Sequence, residues 1–222
     1  MFEWSGIAVA QDHDTRERIL EAAGPVFAEW GFERATVRTI CRRARVNIAA
    51  VNYHFRDKEG LYIETVRRAH LSRMAQFPIP DLPRDMPPAE KLRLFIRVLL
   101  TRMVLDECPA WHIQLMMREL LEPTAACMEM VRDFIRPNFD ALLGILSEIL
   151  PEDTSLDKRH LVAFSIVGQC LHYRVARPVM RLLIAPEEFA TYDVDRLAAH
   201  ITDFTLAALG LGEPLGRARE GR

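Results

Sequence analysis

The sequence has few cysteines, and no two of them are spaced as in a metal ribbon or a redox motif. Cys41, Cys108, Cys127 and Cys170 lie far apart along the chain, and none of them belongs to a C-x-x-C. Disulfide-rich proteins and zinc ribbons depend on closely and regularly spaced cysteines. We therefore expect a protein of a reducing compartment, and the cytoplasm is the simplest assignment.

The chain also lacks an overall basic charge and a long apolar run. Its 29 lysines and arginines stand against 31 aspartates and glutamates, a net charge of -2, so any attraction to nucleic acid has to be local. The first eleven residues have neither a basic start nor a long apolar stretch, and no later stretch approaches about 20 uncharged apolar residues. The sequence predicts neither export nor a membrane span.

Motifs that mark common enzyme sites are missing as well. There is no H-E-x-x-H zinc motif, no glycine-rich phosphate loop, no G-x-S-x-G and no acidic cluster of the kind that helical metal-dependent enzymes use. The sequence thus predicts no catalytic residue, no cofactor and no bound metal. A missing motif does not exclude every activity, so a helical enzyme stays open as an alternative.

Helical periodicity, by contrast, runs through most of the chain. Half of its 222 residues are apolar, they recur at spacings of three and four, and strand signals are scarce, which predicts an all-α protein. A first helix with an apolar stripe from Ile19 to Trp30 ends at Gly31. The segment QFPIPDLPRDMPP, residues 76–88, contains five prolines and predicts a stiff, extended connection. Further helices are predicted at about 88–106, 109–121, 124–150, 156–183 and 193–210, and flexible tails at 1–13 and 211–222.

One short stretch does concentrate positive charge. Residues 36–58 contain a single acid, Asp57, and six basic residues: Arg38, Arg42, Arg43, Arg45, Arg56 and Lys58. The stretch has the length of two short helices joined by a tight turn, the arrangement that places its second helix in the major groove of DNA. A basic stretch often does no more than keep a helix face in water. Here a tyrosine, a histidine and a lysine converge on the same corner, which favours contact with phosphates.

The second of these two helices predicts a face that reads DNA. Val51 and Phe55 are expected to point inward. The outer side then carries Asn47, Ile48, Ala49, Asn52 and Tyr53. Alanine and isoleucine can contact the methyl group of thymine, and an asparagine can form two hydrogen bonds with adenine. We therefore expect Asn52 to contribute sequence preference.

The stretch TVRTICRRARVNIAAVNYHFRDKEGLY, residues 36–62, resembles the DNA-binding motif of TetR-family transcriptional regulators. The resemblance implies a three-helix DNA-binding domain at residues 14–60 and a larger helical domain for effector binding and dimerisation at 61–210. It also implies which residues contact DNA or support those contacts, namely Thr36, Asn47, Tyr53, His54 and Lys58.

Two positions depart from the family pattern. Where a glycine usually follows the alanine of the turn, this chain has Arg45, which must adopt a positive φ at a cost of about 1 kcal/mol or reshape the turn. A phosphate contact by Arg45 is the predicted compensation. Where a tyrosine is common on the reading helix, the chain has Asn52, so base preference does not carry over from other members. The predicted DNA-binding set is Thr36, Arg45, Asn47, Ile48, Ala49, Asn52, Tyr53, His54 and Lys58.

Two later motifs are similar to the carboxy-terminal domain of the CecR-like (also called CerR-like) branch of that family. They are MMRELLEPT at residues 116–124 and GQCLHYRVARPVMRLL at residues 168–183. Apolar residues at alternating spacings of three and four form two seams in this region. The seams pack either within the chain or, as the resemblance implies, against a second copy in a four-helix bundle. The predicted homodimer interface is Leu161, Phe164, Gly168, Leu171, Val175, Leu197, Ile201, Phe204 and Ala208.

A homodimer would place two reading helices about 34–36 Å apart on a palindromic operator. A small molecule that binds best when the two helices are spaced differently would then release the DNA. The resemblance implies a repressor, the commonest role in families of this kind. A mixture of apolar and polar side chains suits such a small-molecule site. The candidate effector contacts are Trp111, His112, Met116, Met117, Gln169, His172 and Tyr173.

A metal-responsive regulator is a further alternative, because the chain offers soft ligands in its cysteine, histidine and methionine residues. The residues concerned are Cys108, Cys127, Cys170, His112 and His172. No recognisable spacing brings them together, and buried cysteines and methionines usually just pack.

Overall fold

The computed structural model describes residues 4–104 and 109–214. Every regular element in these ranges is helical and none is a strand, which confirms the predicted all-α class. The helices are α1 (Trp4–Arg34), α2 (Val37–Ala44), α3 (Ile48–Phe55), α4 (Lys58–Gln76), α5 (Pro88–Val104), α6 (Ala110–Leu121), α7 (Ala125–Met130), α8 (Arg136–Ile149), α9 (Leu156–Val175), α10 (Arg177–Leu183), α11 (Pro186–Ala190) and α12 (Val194–Ala208). A π-helical turn, Val131–Ile135, lies between α7 and α8.

The helices form two compact units whose sequences alternate along the chain. The first unit comprises Met1–Ala75 and Asp106–Ile135, and it contains α1 to α4, α6, α7 and the π-helical turn. The second comprises Gln76–Leu105 and Arg136–Arg222, and it contains α5 and α8 to α12. The boundary predicted near residue 60 divides a DNA-binding part from an effector-binding part, not one packed unit from another. That functional boundary stays a prediction.

In the first unit, α1 provides the apolar surface on which α2, α3 and α6 pack. Ile19, Ala23, Val26 and Phe27 are fully buried, as their spacing predicted. Burying a large apolar side chain such as Phe27 contributes about 1.5–3 kcal/mol to stability. Since Val51 of α3 belongs to the same core, the helix-turn-helix is anchored directly on α1.

Helix α1 is longer than predicted. It begins at Trp4, within the segment expected to be a flexible tail, and residues 4–13 contain no proline that would end it. Near its other end, Gly31 has φ 72° and ψ 174°, which interrupts the helical path where the sequence placed the helix end. Glycine adopts this positive φ readily because it has no Cβ. Residues 1–3 and 215–222, also predicted as tails, lie outside the described residues.

The second unit has a core of its own, with α5 packed against α8, α9 and α12. Leu92, Ile96 and Leu100 of α5 are fully buried. Lys91 is only 5% exposed, and its charge is paired because Nζ lies 2.7 Å from Glu148 Oε2. In the part of the chain that the structure covers, no helix combines the length and the apolar character needed to cross a membrane.

Prolines explain where the predicted long helices are interrupted. The helix predicted at 156–183 divides at Ala176 into α9 and α10, because Pro178 has no N–H to donate to the carbonyl of Arg174. The π-helical turn falls inside the helix predicted at 124–150, just before Pro137, which likewise cannot donate to Asp133. Helix α11 was not predicted, since its five residues are too few to show a period. The proline-rich segment is non-helical between α4 and α5, as expected.

Candidate nucleic-acid interface

Helix α2 forms the first half of the predicted helix-turn-helix. Thr36 precedes it in an extended conformation, and its Oγ1 accepts a hydrogen bond from the backbone N–H of Thr39 at 3.2 Å. This bond caps the helix, since the first N–H groups of a helix have no partner within it. Ile40, Cys41 and Ala44 point inward and are buried. Thr36 itself is exposed, at the surface where the sequence predicts contact with DNA.

The turn after α2 has a left-handed conformation. Arg45 has φ 56° and ψ 46°, so of the two predicted outcomes the chain adopts the positive φ. The Arg45 N–H bonds back to the carbonyl of Cys41. From α1, Arg18 Nη2 donates to the carbonyl oxygens of Ala44 at 2.9 Å and Arg45 at 3.3 Å. Sequence reasoning missed Arg18, because the pattern of a helix does not reveal which distant turn a side chain reaches.

Helix α3 presents the face predicted to read DNA. Asn47 caps it, since its side-chain oxygen accepts a hydrogen bond from the Ala50 N–H at 2.8 Å. Val51 and Phe55 are buried in the core of the first unit, as predicted. The exposed residues are Asn47, Ile48, Ala49, Asn52 and Tyr53, of which Ile48 is 47% and Tyr53 75% exposed. The side chains expected to meet bases are therefore outside the protein core.

The start of α4 completes the corner. Lys58 Nζ donates to the carbonyl of Glu33 at 3.1 Å and lies 4.6 Å from the centre of the Phe32 ring. The Asp57 side chain caps α4 by accepting from the Gly60 N–H at 2.8 Å. Lys58 thus ties the start of α4 to the end of α1, and its contact with DNA stays a prediction. The same is true of His54, which is half-buried.

The arginines of this corner keep their charge at the surface. Arg38, Arg42, Arg43, Arg45 and Arg56 are all exposed. In the described ranges none of the five forms an ion pair with an acid, and Arg43 lies 5.7 Å from the centre of the Trp30 ring. Positive charge without acidic partners, next to an exposed helix face, is the arrangement that attracts the phosphate backbone of duplex DNA.

Two known families match the chain. Residues 19–65 match the family described as bacterial regulatory proteins, tetR family, and residues 88–209 match the C-terminal domain of the HTH-type transcriptional dual regulator CecR. The chain belongs to the TetR family, in its CecR-like branch. The second match extends over more than half of the chain, and both confirm the resemblance drawn from the motifs. TetR-family proteins are transcriptional regulators rather than a family of enzymes.

Several curated relatives match the chain over a short stretch. The transcriptional repressor Rv1474c of Mycobacterium tuberculosis is 38% identical over 61 residues, and the repressor AcnR of Corynebacterium glutamicum is 40% identical over 63 residues. These matches cover 27% and 28% of this chain and only a third, 33%, of each relative. The dual regulator CecR of Shigella flexneri is 24% identical over 177 residues, covering 75% of this chain and 78% of that protein.

Solved structures share the fold along most of the chain. The crystal structure of a HlyIIR mutant aligns with a TM-score of 0.59 at 25% identity, covering 86% of this chain and 99% of that one. A tetR-family regulatory protein from Rhodococcus RHA1 aligns with a TM-score of 0.64 at 20% identity, covering 90% of this chain and 98% of that one. The alignments therefore include helices from both units.

A buried polar contact joins α4 to the motif that resembles the CecR-like branch. The Tyr62 hydroxyl donates to one carboxylate oxygen of Glu119 in α6, and the other accepts from the N–H and hydroxyl of Thr124 at 3.2 and 2.9 Å. Glu119 is 0% and Tyr62 1% exposed. Burial and the bond to Glu119 raise the pKa of Tyr62 far above its usual value. The helix that follows the predicted helix-turn-helix is thus hydrogen-bonded, out of reach of water, to α6.

The residues predicted to bind an effector of this TetR-family protein are divided between the two units. Four lie on α6 in the first unit and three on α9 in the second. The α6 group is Trp111, His112, Met116 and Met117, and the α9 group is Gln169, His172 and Tyr173. Neither unit contains the full set, and its role stays a prediction.

His112 is the most unusual member of that set. It is 5% exposed, and among the described residues its Nδ1 has no hydrogen-bond partner. Burial lowers the pKa of His112 to about 4, and the positive charges of Arg73 and Arg68 act in the same direction. The side chain is therefore neutral at physiological pH.

A groove in the first unit, lined by both charged and apolar side chains, was not indicated by the sequence. Its volume is about 380 Å³, and its lining includes Arg16 and Glu17 of α1 together with Glu64, Arg67 and Arg68 of α4. Ion pairs join the two sides, from Arg16 to Glu64 and from Arg68 to Glu17. The predicted effector contacts do not line this groove.

The predicted dimer residues fall into an exposed and a buried group. On α9, Leu161, Phe164 and Val175 are each 60% exposed, Gly168 is exposed and Leu171 is half-buried. On α12, Phe204 is 44% exposed and Ala208 is exposed. Leu197 and Ile201, in contrast, are buried in the core of their own unit, where α12 packs on α5. These two residues pack within the chain, and an interface formed by the residues of α9 with Phe204 and Ala208 stays a prediction.

The soft ligands named for the metal-responsive alternative are scattered. Cys127 and Cys170 are free thiols, and Cys108 lies outside the described residues. Burial raises the pKa of Cys170 to about 12, so with no metal ion beside it the thiol is protonated at physiological pH. Within 4–104 and 109–214, no group of three His, Cys, Asp or Glu residues is placed to hold a metal ion.

Proposed function

We propose that this TetR-family protein is a ligand-responsive transcriptional repressor that binds a palindromic operator as a homodimer. The observation that carries the proposal is the corner of α2 and α3, where an exposed helix face adjoins five exposed arginines that, in the described ranges, have no acidic partner. Phosphate contacts supply most of the affinity of such a surface, and contacts to base edges supply its specificity. The cytoplasmic location predicted from the sequence is consistent with binding to genomic DNA.

We divide the corner into two kinds of contact. Thr36 and Asn47 cap α2 and α3, so they lie where helix N-termini meet phosphates, and Arg45, Tyr53 and Lys58 extend this positioning surface. The outer face of α3 then meets the bases. Ile48 and Ala49 suit the methyl group of thymine, and Asn52 suits the edge of adenine.

A second copy of the chain makes this short reading surface sufficient. One α3 helix reaches only a few base pairs, whereas two helices about 34–36 Å apart read successive major grooves of a palindrome. The exposed apolar residues of α9, with Phe204 and Ala208, are the surface we assign to the partner subunit. Covering apolar side chains that are exposed on one subunit removes them from water, which stabilises the dimer.

The effector would act by changing the balance between two arrangements of the dimer. In one arrangement the spacing of the two α3 helices fits the operator, and in the other it does not. A small molecule that binds the second arrangement more tightly weakens DNA binding, at most by the difference between its binding free energies for the two arrangements. We assign α4 as the element that carries this change, since it begins at the reading corner and is bonded through Tyr62 to α6, where four of the predicted effector contacts lie.

The test is selection of DNA by the purified full-length protein. Fragmented genomic DNA of the source organism is bound, recovered and sequenced, and the enriched sequence is compared with a shuffled duplex over a range of salt concentrations. We expect a palindrome that binds about a thousandfold more tightly than its shuffled counterpart. Equal binding to every duplex, with the same steep salt dependence, would instead indicate a nonspecific DNA-binding protein. Absence of binding at low salt would refute the proposal.

A further inference from the structure

The turn between α2 and α3 requires support that its own sequence does not supply. Arg45 adopts φ 56°, a region that side chains with a Cβ occupy at a cost and that glycine occupies freely. The last carbonyl groups of α2 also lack partners within the helix, as at every helix C-terminus. An unsupported turn would relax, and the orientation of α3 would change with it.

Hydrogen bonds within the turn hold only its N–H groups. The N–H groups of Arg45 and Val46 both bond to the carbonyl of Cys41, the latter at 3.0 Å. These bonds leave the carbonyl oxygens of Ala44 and Arg45 to be satisfied from elsewhere. Among the described residues, the side chain that reaches both oxygens is Arg18 of α1, at 2.9 and 3.3 Å.

Arg18 is well suited to this position. The carbonyl end of a helix carries partial negative charge, which a guanidinium offsets. The planar guanidinium of Arg18 can bond several acceptors at once. A second nitrogen, Nη1, lies 3.5 Å from Asp14 Oδ2, one turn earlier in α1. Asp14 thus lies within ion-pair distance of the guanidinium, and the guanidinium hydrogen-bonds the turn to α1.

We infer that Arg18 is a positioning residue for DNA reading, because it keeps the α2–α3 turn in its left-handed conformation and so fixes the orientation of α3. The inference rests on the proposed function. It assigns Arg18 no contact with a base. It also explains why this chain can have an arginine at position 45, where the family usually has glycine: Arg18 of α1 supports the turn.

The experiment is a double-mutant cycle of Arg18→Met and Arg45→Gly. Affinity is measured on the duplex that the unmutated protein selects, at a temperature at which circular dichroism shows every variant folded. Arg18→Met is expected to weaken operator binding about tenfold, as for loss of a charged hydrogen bond. When Arg45→Gly is also present, Arg18→Met is expected to cost less than about threefold, because glycine keeps the positive φ without support.

A direct phosphate contact by Arg18 makes a different prediction. It would give the same loss of affinity with and without Arg45→Gly, and a shallower salt dependence of binding. Equal losses, or no loss at all, would overturn the inference. Arg67→Met, which removes an arginine from α4 that pairs with Glu64, is the control for the change in charge and is expected to act independently of Arg45→Gly.

Thermal unfolding separates positioning from stability alone. Arg18→Met is expected to lower the unfolding midpoint with or without Arg45→Gly, whereas its effect on DNA affinity is expected to shrink when Arg45→Gly is present. Because Arg45→Gly itself removes the proposed phosphate contact and the cost of the positive φ, each effect of Arg18→Met in its presence is measured relative to the Arg45→Gly protein. If Arg18→Met does not fold, Arg18→Lys, which keeps the charge without the planar group, takes its place in the cycle. Failure of the unmutated protein to bind any duplex would refute the proposed function. Binding by the unmutated protein with an additive cycle would refute only the role of Arg18.

Discussion

Asn52 and Tyr53 are neighbours on the exposed face of α3, and we expect them to contribute to DNA binding in different ways. Asn52→Ala should reduce the preference for operator over shuffled DNA about tenfold, since a two-bond contact to a base discriminates by about 1–3 kcal/mol. Tyr53→Ala should weaken binding to both duplexes alike, as loss of a phosphate contact does. The measurement is the dissociation constant of each variant on both duplexes at one salt concentration. Equal losses for Asn52→Ala on the two duplexes would remove its base-reading role.

Lys58 illustrates why Tyr53→Ala is the cleaner test of phosphate contact. The sequence predicts that Lys58→Ala also weakens operator and random DNA alike. In the structure, however, Lys58 binds the carbonyl of Glu33 and covers the Phe32 ring, so its loss should lower stability as well. The helical period was enough to predict which side chains of α3 face outward. It could not predict the tertiary contacts of Lys58 or Arg18, which depend on how α1 packs against the corner.

His112 is expected to make stability depend on pH. Its pKa in the folded protein is about 4, below the ordinary value of 6.5, so the unfolded chain takes up a proton at a pH at which the folded chain does not. The free energy of unfolding should therefore fall as the pH is lowered from about 6.5 to about 4. Above pH 6.5 the stabilising contribution of neutral His112 should be fully present. Denaturant unfolding at several pH values measures this. His112→Gln should flatten the profile, and an unchanged profile would contradict the assignment to His112.

The bond between Tyr62 and Glu119 is the main prediction at the level of helices. Tyr62→Phe should lower the free energy of unfolding by about 1–3 kcal/mol, because a buried carboxylate loses one of its partners. Glu119→Ala should cost more, since it leaves both Tyr62 and Thr124 without their acceptor. Urea unfolding measures both changes.

Glu122→Ala is the matched control for Glu119→Ala. Glu122 follows three residues later, and its side chain is 75% exposed and pairs with Arg118 at the surface. Its loss should change stability by less than about 0.5 kcal/mol. If Glu119→Ala were as mild, the buried contact would not be holding α4 to α6.

Helix positions were largely predictable, and helix interruptions less so. Apolar spacing of three and four located the main helices, since each has to bury one face. The breaks at Ala176 and before Pro137 depend on individual backbone bonds that a proline removes, and the spacing of apolar side chains does not record them. For the same reason spacing alone could not tell that Leu197 and Ile201 of α12 face their own subunit.

For the whole molecule, the α9 surface predicts how the subunits associate. Phe164→Glu should shift the protein from dimer to monomer, since it places a charge in the apolar surface assigned to the partner. Sedimentation velocity measures the shift, and affinity for a full palindrome should fall more than affinity for a half-site. Leu121→Glu is the control, because Leu121 is 83% exposed on α6 and not among the predicted dimer residues. Equal effects of the two variants would contradict the assigned interface.

The division of the molecule into units was the part least accessible from the sequence. The proline-rich segment suggested that the first functional part ends near it, yet α6 and α7 return to the first unit. Trp111 of α6 packs so closely on Gly24 of α1 that a Cβ there would lie 2.6 Å from the indole ring. Contacts of this kind join residues far apart in the chain, so local composition cannot predict them.

This discontinuity limits how the protein can be recombined with its relatives. In a chimaera joined at residue 76, helices α1 to α4 would come from a relative, whereas α6, which packs on them in the first unit, would come from this chain. Glu119 and Trp111 of α6 would then face the relative's residues in place of Tyr62 and Gly24. Transplanting operator specificity into this scaffold is better done by exchanging the outer face of α3 alone, which leaves every one of these packing partners in place.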